Sequence, residues 1–241
     1  MGEEGNGVID GFSGESSTIE IPENLNSVCT VTAIGEYAFE CCDGLECVVL
    51  PGTLRRIGEC AFWGCSRLAK VEFQDGLEYL GDGSFYSCPL EEIYLPLQLK
   101  NSIRDLFIGD KHVPLAYQGD TDCFEVFTRQ GLKKIRVSKK DLRYSSEDGV
   151  LFDKSKETLL CYPPRREAAY YAVPFGTAVI GEDAFSGSVN LREVILPDTL
   201  KCIEDYAFSG AGIKKLRIPA GVEKIGRHAF SRGILLTSAA D

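Results

Sequence analysis

Apolar and polar positions along this chain follow one pattern that returns at a nearly constant spacing. In each copy, an isoleucine-glycine pair precedes an alanine-phenylalanine pair, and a short stretch of alternating apolar residues follows. The first regular copy is Ile34-Gly35-x-x-Ala38-Phe39-x-x-Cys42-x-x-Leu45-x-x-Val48-x-Leu50-Pro51. The repeat phenylalanines are 22 or 23 residues apart within two series: Phe39, Phe62, Phe85 and Phe107, and then Phe185, Phe208 and Phe230. A period of this size over most of a chain predicts a solenoid.

The last part of each copy has the pattern of a short β-strand with one buried face. Val48 and Leu50 alternate along the strand, and β-branched or aromatic residues occupy the equivalent places in later copies. A proline usually follows, and proline cannot donate to the next rung of a ladder. These prolines are Pro51, Pro96, Pro174, Pro197 and Pro219. Each copy is therefore predicted to add one strand to a parallel sheet.

The first part of each copy combines small residues with one aromatic ring. Alanine lets neighbouring coils approach, and a phenylalanine at one fixed place should stack into an apolar column. Too few residues separate the proline from the phenylalanine for a long helix, so the pattern predicts a helical or 3₁₀ turn. The expected fold class is an α/β solenoid with a parallel β-sheet on the concave face and these turns on the convex side.

The repeat resembles the BspA-like (treponemal-type) leucine-rich repeats of bacterial surface proteins. The resemblance covers roughly residues 8 to 236, apart from a stretch near 101 to 131. It implies a surface or secreted bacterial protein that takes part in adhesion. The expected function is therefore a non-catalytic recognition module that mediates protein-protein or cell-surface contact.

The expected domain organisation is a single leucine-rich-repeat domain over residues 1–241. It would comprise N-terminal repeats (8–107), an irregular insertion (108–130), a strand and β-hairpin unit (131–164) and C-terminal repeats (165–236). The hairpin is predicted because two apolar runs flank the polar turn Asp153-Lys154-Ser155-Lys156. Similar hairpins are interspersed among the repeats of the family that the chain resembles.

Charge and hydropathy limit the partners and the location. The net charge of −10 argues against binding to nucleic acid or anionic membranes by the molecule as a whole. No run of 18 or more apolar residues exists, so we expect no membrane insertion. The first seven residues are acidic and glycine-rich and do not form a signal peptide. The resemblance implies an extracellular or cell-surface location, while the sequence by itself leaves a cytoplasmic one open.

The chain has ten cysteines, and their places in the repeat favour packing over chemistry. Cys42, Cys65 and Cys88 each follow the repeat phenylalanine by three residues, where later copies have Ser188, Ala211 and Gly233. Small residues interchange there, so burial explains the cysteines. Disulfides between neighbouring coils stay possible, since strand spacing suits their geometry. A metal site is less favoured because no cysteine pair has zinc-ligand spacing, and we expect no cofactor.

Catalytic motifs are absent from the sequence. No nucleophile elbow, phosphate-binding loop or His-Glu-x-x-His metalloprotease motif appears. His112 lies in the irregular segment without a nucleophile pattern around it, and His228 occupies a variable place in the repeat. We therefore expect no enzymatic activity.

The predicted sheet carries opposite charges in its two halves. Positions between the buried strand residues hold four acids and one base in the N-terminal strands, against seven bases and one acid in the C-terminal strands. Strands tolerate any solvated residue there, so chance is one explanation. The alternative is that the basic half binds an acidic protein or an anionic glycan. A carbohydrate-binding surface and a structural spacer stay open as functions. The candidate residues for partner binding are Lys133, Lys134, Arg136, Tyr170, Arg192, Lys214, Lys215 and Arg217.

Overall fold

The computed structural model describes residues 5–26, 29–107 and 131–238. The expected insertion at 108–130, with His112, lies outside these described residues. Contacts between Cα atoms divide the chain into two compact units, unit 1 from Met1 to Gly131 and unit 2 from Leu132 to Asp241. The single domain over residues 1–241 stays a prediction, and the units are described in turn.

Unit 1 consists mostly of very short strands. Its elements are β1 (Gly5–Ile9), β2 (Thr18–Glu20), β3 (Asn24–Leu25), β4 (Cys29–Ile34), β5 (Cys47–Val49), β6 (Arg56–Ile57), β7 (Lys70–Glu72), β8 (Tyr79–Leu80), β9 (Glu92–Leu95) and the helix α1 (Ile103–Phe107).

The strands predicted from the alternating stretches form one row in unit 1, which we call the front row: β2, β5, β7 and β9. The first three pair in parallel, and the register aligns Ile19 with Val48 and Val48 with Val71. Val48, Val71 and Ile93 are buried, as the alternation predicts. Removal of these side chains from water is the main force holding the strands to the interior.

A second row of strands lies where the sequence predicted helical or 3₁₀ turns. In this rear row, β1, β4, β6 and β8 pair in parallel, with Ile34 opposite Ile57 and Ile57 opposite Leu80. The glycine after each isoleucine permits this close approach. A Cβ atom on Gly81 would lie 2.4 Å from the backbone nitrogen of Glu59 in the preceding coil.

The turns that follow the rear row have a left-handed residue at the same place in the five coils that contain the repeat alanine. The residue before the repeat alanine has a positive φ: 57° at Tyr37, 50° at Cys60, 55° at Asp183, 56° at Tyr206 and 51° at His228. Such a residue interrupts a right-handed helix. The coils therefore return through hydrogen-bonded turns, for example from Glu40 N–H to Tyr37 C=O (3.1 Å). The α/β class and the helical turns are not confirmed, because α1 is the one α-helix in the described residues.

The repeat phenylalanines stack as predicted. Ring centroids are 4.7 Å apart for Phe39 and Phe62 and 5.0 Å for Phe62 and Phe85, with the rings nearly parallel. The backbone reinforces the stack, because Phe39 N–H donates to the carbonyl oxygen of Ala61 in the next coil (2.7 Å). The phenylalanine column thus joins successive coils through both ring packing and hydrogen bonds.

Unit 2 repeats this organisation and adds a hairpin. Its strands are β10 (Lys134–Val137), β11 (Tyr144–Glu147), β12 (Val150–Asp153), β13 (Thr158–Cys161), β14 (Tyr170–Ala172), β15 (Val179–Ile180), β16 (Glu193–Ile195), β17 (Cys202–Ile203), β18 (Lys215–Ile218), β19 (Lys224–Ile225) and β20 (Leu235–Ser238).

The hairpin strands open the rear row of unit 2. Strands β11, β12 and β13 pair antiparallel, and β13 then pairs in parallel with β15, followed by β17 and β19. Tyr162, directly after β13, takes the place of a repeat phenylalanine and stacks on Phe185 with centroids 5.1 Å apart. Phe185 stacks in turn on Phe208 at 4.9 Å. Tyr162, which follows the last hairpin strand, is therefore the first ring of the apolar column in this unit.

Candidate recognition site

The front row of unit 2 comprises β14, β16, β18 and β20 and presents charged side chains in rows. In β16, Val194 is buried while Glu193 and Ile195 are exposed, and in β18, Leu216 is buried while Lys215 and Arg217 are exposed. The residues just before these strands, Arg192 and Lys214, are also exposed. Strand alternation alone thus places the charged side chains on the surface.

The front row of unit 2 is interrupted between β16 and β18. Strand β14 pairs with β16, and β18 pairs with β20, but no ladder joins β16 to β18 among the described strands, although the two are neighbours. A difference in coil length coincides with the break. Phe208 precedes Ile213 by five residues, whereas Phe185 precedes Leu191 by six, so the coil leading into β18 is one residue short.

The shortened coil packs tightly against the coil before it. Gly212 N–H donates to the carbonyl oxygen of Ser188 (3.0 Å), and a Cβ atom on Gly212 would lie 2.3 Å from the carbonyl oxygen of Val189. Only glycine allows the two coils to come this close without displacement of the backbone. Gly212 therefore fixes the position from which β18 starts.

A cavity of about 500 Å³ lies at the break. It is lined by cationic residues, by one acid and by aliphatic residues of both strands. The lining residues are Arg192, Glu193, Val194, Ile195, Leu196, Lys214, Lys215, Arg217 and Pro219. The four cationic residues therefore converge on one concave surface, with Glu193 as the one acidic residue in the lining.

The local partners leave much of this positive charge available. Arg192 donates a hydrogen bond from Nη1 to the carbonyl oxygen of Gly212 (3.4 Å), which holds the guanidinium at the rim. Lys214 and Lys215 form no ion pair with any residue in the described ranges 5–26, 29–107 and 131–238. The charge of these two lysines is therefore available to attract anionic groups.

The structure brings together half of the predicted binding residues. Arg192, Lys214, Lys215 and Arg217 line the cavity. Tyr170 is 50% exposed and lies opposite Glu193 in the ladder, one strand away from the cavity. The remaining three candidates, Lys133, Lys134 and Arg136, are exposed in or directly before β10, which lies beside β11 and β12 instead.

Sequence reasoning missed the apolar part of the cavity. Ile195 was grouped with the solvated positions, yet it is 48% exposed directly beside the cationic residues, and Pro219 completes the lining. The signal that could have located the cavity is the five-residue spacing from Phe208 to Ile213. That spacing indicates where a ladder is interrupted.

The front row of unit 1 carries more acidic than basic side chains, and some of these acids are paired locally. Glu46 forms a salt bridge with Arg67, and Glu72 forms one with Lys70. Asp75 accepts a hydrogen bond from the Tyr94 hydroxyl. The two salt bridges neutralise part of the acidic charge locally. The front row of unit 2 is therefore the stronger candidate for a charged partner.

The cysteines of the repeat serve packing in this structure. All nine cysteines in the described ranges are free thiols. Cys65 and Cys88 are buried, and each donates from Sγ to the carbonyl oxygen of a repeat phenylalanine (3.0 Å). The described part of the chain contains no cluster of three or more side chains suited to a metal ion. In the same ranges, no helix is long and apolar enough to cross a bilayer.

The sequence profile of the BspA type leucine rich repeat region matches six copies in this chain, over residues 12–113 and 169–240. Those segments make up most of the sequence. The chain belongs to the BspA-type leucine-rich repeat family. Membership predicts stacked coils with parallel strands, which each unit shows, and it is consistent with a non-catalytic protein-interaction module. No curated protein matches the chain.

Solved structures support the same fold. The pneumococcal vaccine antigen PcpA is 24% identical with a TM-score of 0.57, and the match covers 92% of this chain and 62% of that one. A leucine-rich repeat protein from Eubacterium ventriosum is 20% identical with a TM-score of 0.58 and the same coverage, 92% and 62%. The chain thus spans less than two thirds of each of these proteins. The leucine-rich repeat fold is shared.

Proposed function

We propose that this chain is a non-catalytic recognition module that binds a negatively charged macromolecular partner through the front row of unit 2. The observation that carries the proposal is the convergence of Arg192, Lys214, Lys215 and Arg217 on one cavity in a protein whose net charge is −10. A net negative protein repels acidic partners in general, so a local basic surface directs such a partner to one place.

The proposed location is the cell surface or the extracellular space. The support is membership of the BspA-type family together with the similarity to PcpA, a pneumococcal vaccine antigen. Adhesion is the corresponding biological role. In this role a rigid stack of coils holds the binding residues in fixed positions, which lowers the entropy lost on binding.

Binding assays at two salt concentrations test the proposal. The purified protein is titrated against a panel of extracellular-matrix proteins and anionic glycans in low and physiological salt. We expect a bound partner whose affinity falls with salt, because contacts between exposed charges are screened. The combined variant Lys214→Glu, Lys215→Glu and Arg217→Glu should lose this binding.

A matched control separates the cavity from net charge. The variant Lys139→Glu, Lys140→Glu and Arg232→Glu makes the same change in total charge at exposed residues that do not line the cavity. It should bind like the unmodified protein. Equal loss in both variants would contradict a role for the cavity, and absence of any partner in the panel would favour a structural spacer.

A further inference from the structure

The interrupted ladder in unit 2 leaves backbone groups that are paired elsewhere in the front row. Between β5 and β7, Lys70 N–H donates to the carbonyl oxygen of Glu46 (3.2 Å). Among the described residues, the equivalent bond from Lys215 to Arg192 does not exist. The break therefore leaves Lys215 N–H and Arg192 C=O without the bond that their counterparts Lys70 and Glu46 share.

Shortening of a coil by one residue also occurs in unit 1, which shows that the break alone does not create the site. Phe85 precedes Leu90 by five residues, and β9 does not pair with β7. A bond runs there from Glu91 N–H to the carbonyl oxygen of Ala69 (3.2 Å). The flanking side chains at that break are mainly acidic, with Glu72, Glu91 and Glu92 against Lys70, whereas those at the break in unit 2 are mainly cationic, with Glu193 as the one acid in the lining. Only the second break suits an anionic ligand.

The lining of the cavity distinguishes between classes of anion. Cationic groups of Arg192, Lys214 and Lys215 suit carboxylates or sulfates equally. Ile195, Leu196 and Pro219, however, add an apolar surface that a sulfated sugar cannot use well. A peptide offers carboxylates and apolar side chains at once, which matches the cationic and aliphatic lining.

We propose that the break between β16 and β18 binds an extended acidic peptide segment in which an aliphatic side chain contacts Ile195. This inference rests on the proposed function and specifies its partner as a polypeptide. Carboxylates of the segment pair with the cationic groups of Arg192, Lys214, Lys215 and Arg217. An extended conformation lets the segment contact lining residues of both strands.

A set of three probes tests the ligand class. They are a short fluorescein-labelled peptide in which glutamate and leucine alternate, the same peptide with serine in place of leucine, and a short heparin oligosaccharide. Fluorescence anisotropy should show the leucine peptide binding about tenfold more tightly than the serine peptide, as partial burial of leucine predicts. The variant Ile195→Ser should remove this difference between the two peptides.

A backbone variant tests the role of the break. Inserting one asparagine between Gly212 and Ile213 restores the six-residue spacing found from Phe185 to Leu191. If the variant has the far-ultraviolet circular dichroism spectrum of the unmodified protein, we expect the leucine peptide to bind at least tenfold more weakly. Unchanged binding to such a folded variant would overturn the inference.

The possible outcomes separate the two proposals. If the Lys214, Lys215 and Arg217 charge reversal weakens no probe, the proposed function fails. If it weakens heparin and both peptides alike, and Ile195→Ser has no effect, the proposed function stands and the peptide inference is overturned. Preference for the leucine peptide, lost in both the Ile195→Ser and insertion variants, supports both.

Discussion

The thiol of Cys88 donates a hydrogen bond to the carbonyl oxygen of Phe62, one coil earlier, across 3.0 Å. Cys65 makes the same contact with Phe39. The cysteine three residues after the repeat phenylalanine thus links two coils through its side chain. This contact accounts for a buried cysteine at these two positions without a metal or disulfide.

Thiol reactivity tests this assignment. Cys41 is exposed, whereas Cys65 and Cys88 are buried and hydrogen-bonded. Iodoacetamide should therefore alkylate Cys41 in the native protein and leave Cys65 and Cys88 unmodified until the protein unfolds, as peptide mass spectrometry can show. Alkylation of Cys88 as fast as Cys41 under native conditions would contradict the structure.

The pH dependence of stability should report on Cys60. Burial, with a further contribution from the charge of Glu59, raises the pKa of the Cys60 thiol from 9.0 to about 11. Below pH 9 both folded and unfolded states hold the proton. Between about pH 9 and 11 only the unfolded state releases it, so stability falls as pH rises, by on the order of 2 kcal/mol.

Urea unfolding at pH 8 and pH 10.5 measures this effect, and Cys60→Ala is the matched control. The alanine variant lacks the thiol and should lose less stability between the two pH values than the unmodified protein. Identical losses in the two proteins would show that Cys60 does not titrate as the structure indicates.

The requirement for a left-handed residue before the repeat alanine can be tested by substitution. Tyr37 has a φ of 57° and an exposed side chain, so substitutions there act mainly through the backbone. Asparagine adopts this conformation readily and valine does not. Tyr37→Val should unfold with a free energy about 1–2 kcal/mol lower than that of Tyr37→Asn. Equal stabilities in urea titrations would contradict the requirement for a left-handed residue.

The close approach of Gly212 to the preceding coil predicts that a larger side chain there lowers stability. Gly212→Ala places a Cβ atom 2.3 Å from the carbonyl oxygen of Val189, so the shortened coil must shift. We expect a loss of about 1–3 kcal/mol, as for other overpacked sites. Gly44→Ala is the control, because the nearest atom to its added Cβ, the carbonyl oxygen of Glu15, is 3.9 Å away. Similar midpoints for both variants in thermal unfolding would exclude Gly212 as a constraint.

Some features followed directly from the sequence, and others depended on contacts between coils. The strand at Val48 and the stack of Phe39 on Phe62 were predictable, because alternation and period report burial directly. The rear row was not, since a strand as short as Arg56–Ile57 is too brief to show any alternation. Its turns depend on Tyr37 and Cys60 adopting positive φ, which their residue types do not indicate.

The binding site was predictable in its charges but not in its shape. Period-two alternation placed Lys215 and Arg217 on the surface, yet it treated every front-row strand as equivalent. Interruption of the ladder coincides with the one-residue difference in the coil before β18 and with the close packing of that coil at Gly212. The alternation also does not show that Lys134 lies on a strand beside the hairpin strands β11 and β12.

The most direct test of the account is to map the binding surface by nuclear magnetic resonance. Amide chemical shifts of the full chain are followed while the acidic leucine peptide is added at low salt. The account predicts that the largest changes fall within Arg192–Leu196 and Lys214–Arg217, the strands on either side of the break. Binding that instead shifts amides of the unit 1 front row, or that spreads evenly over basic residues including Lys139 and Lys140, would contradict it.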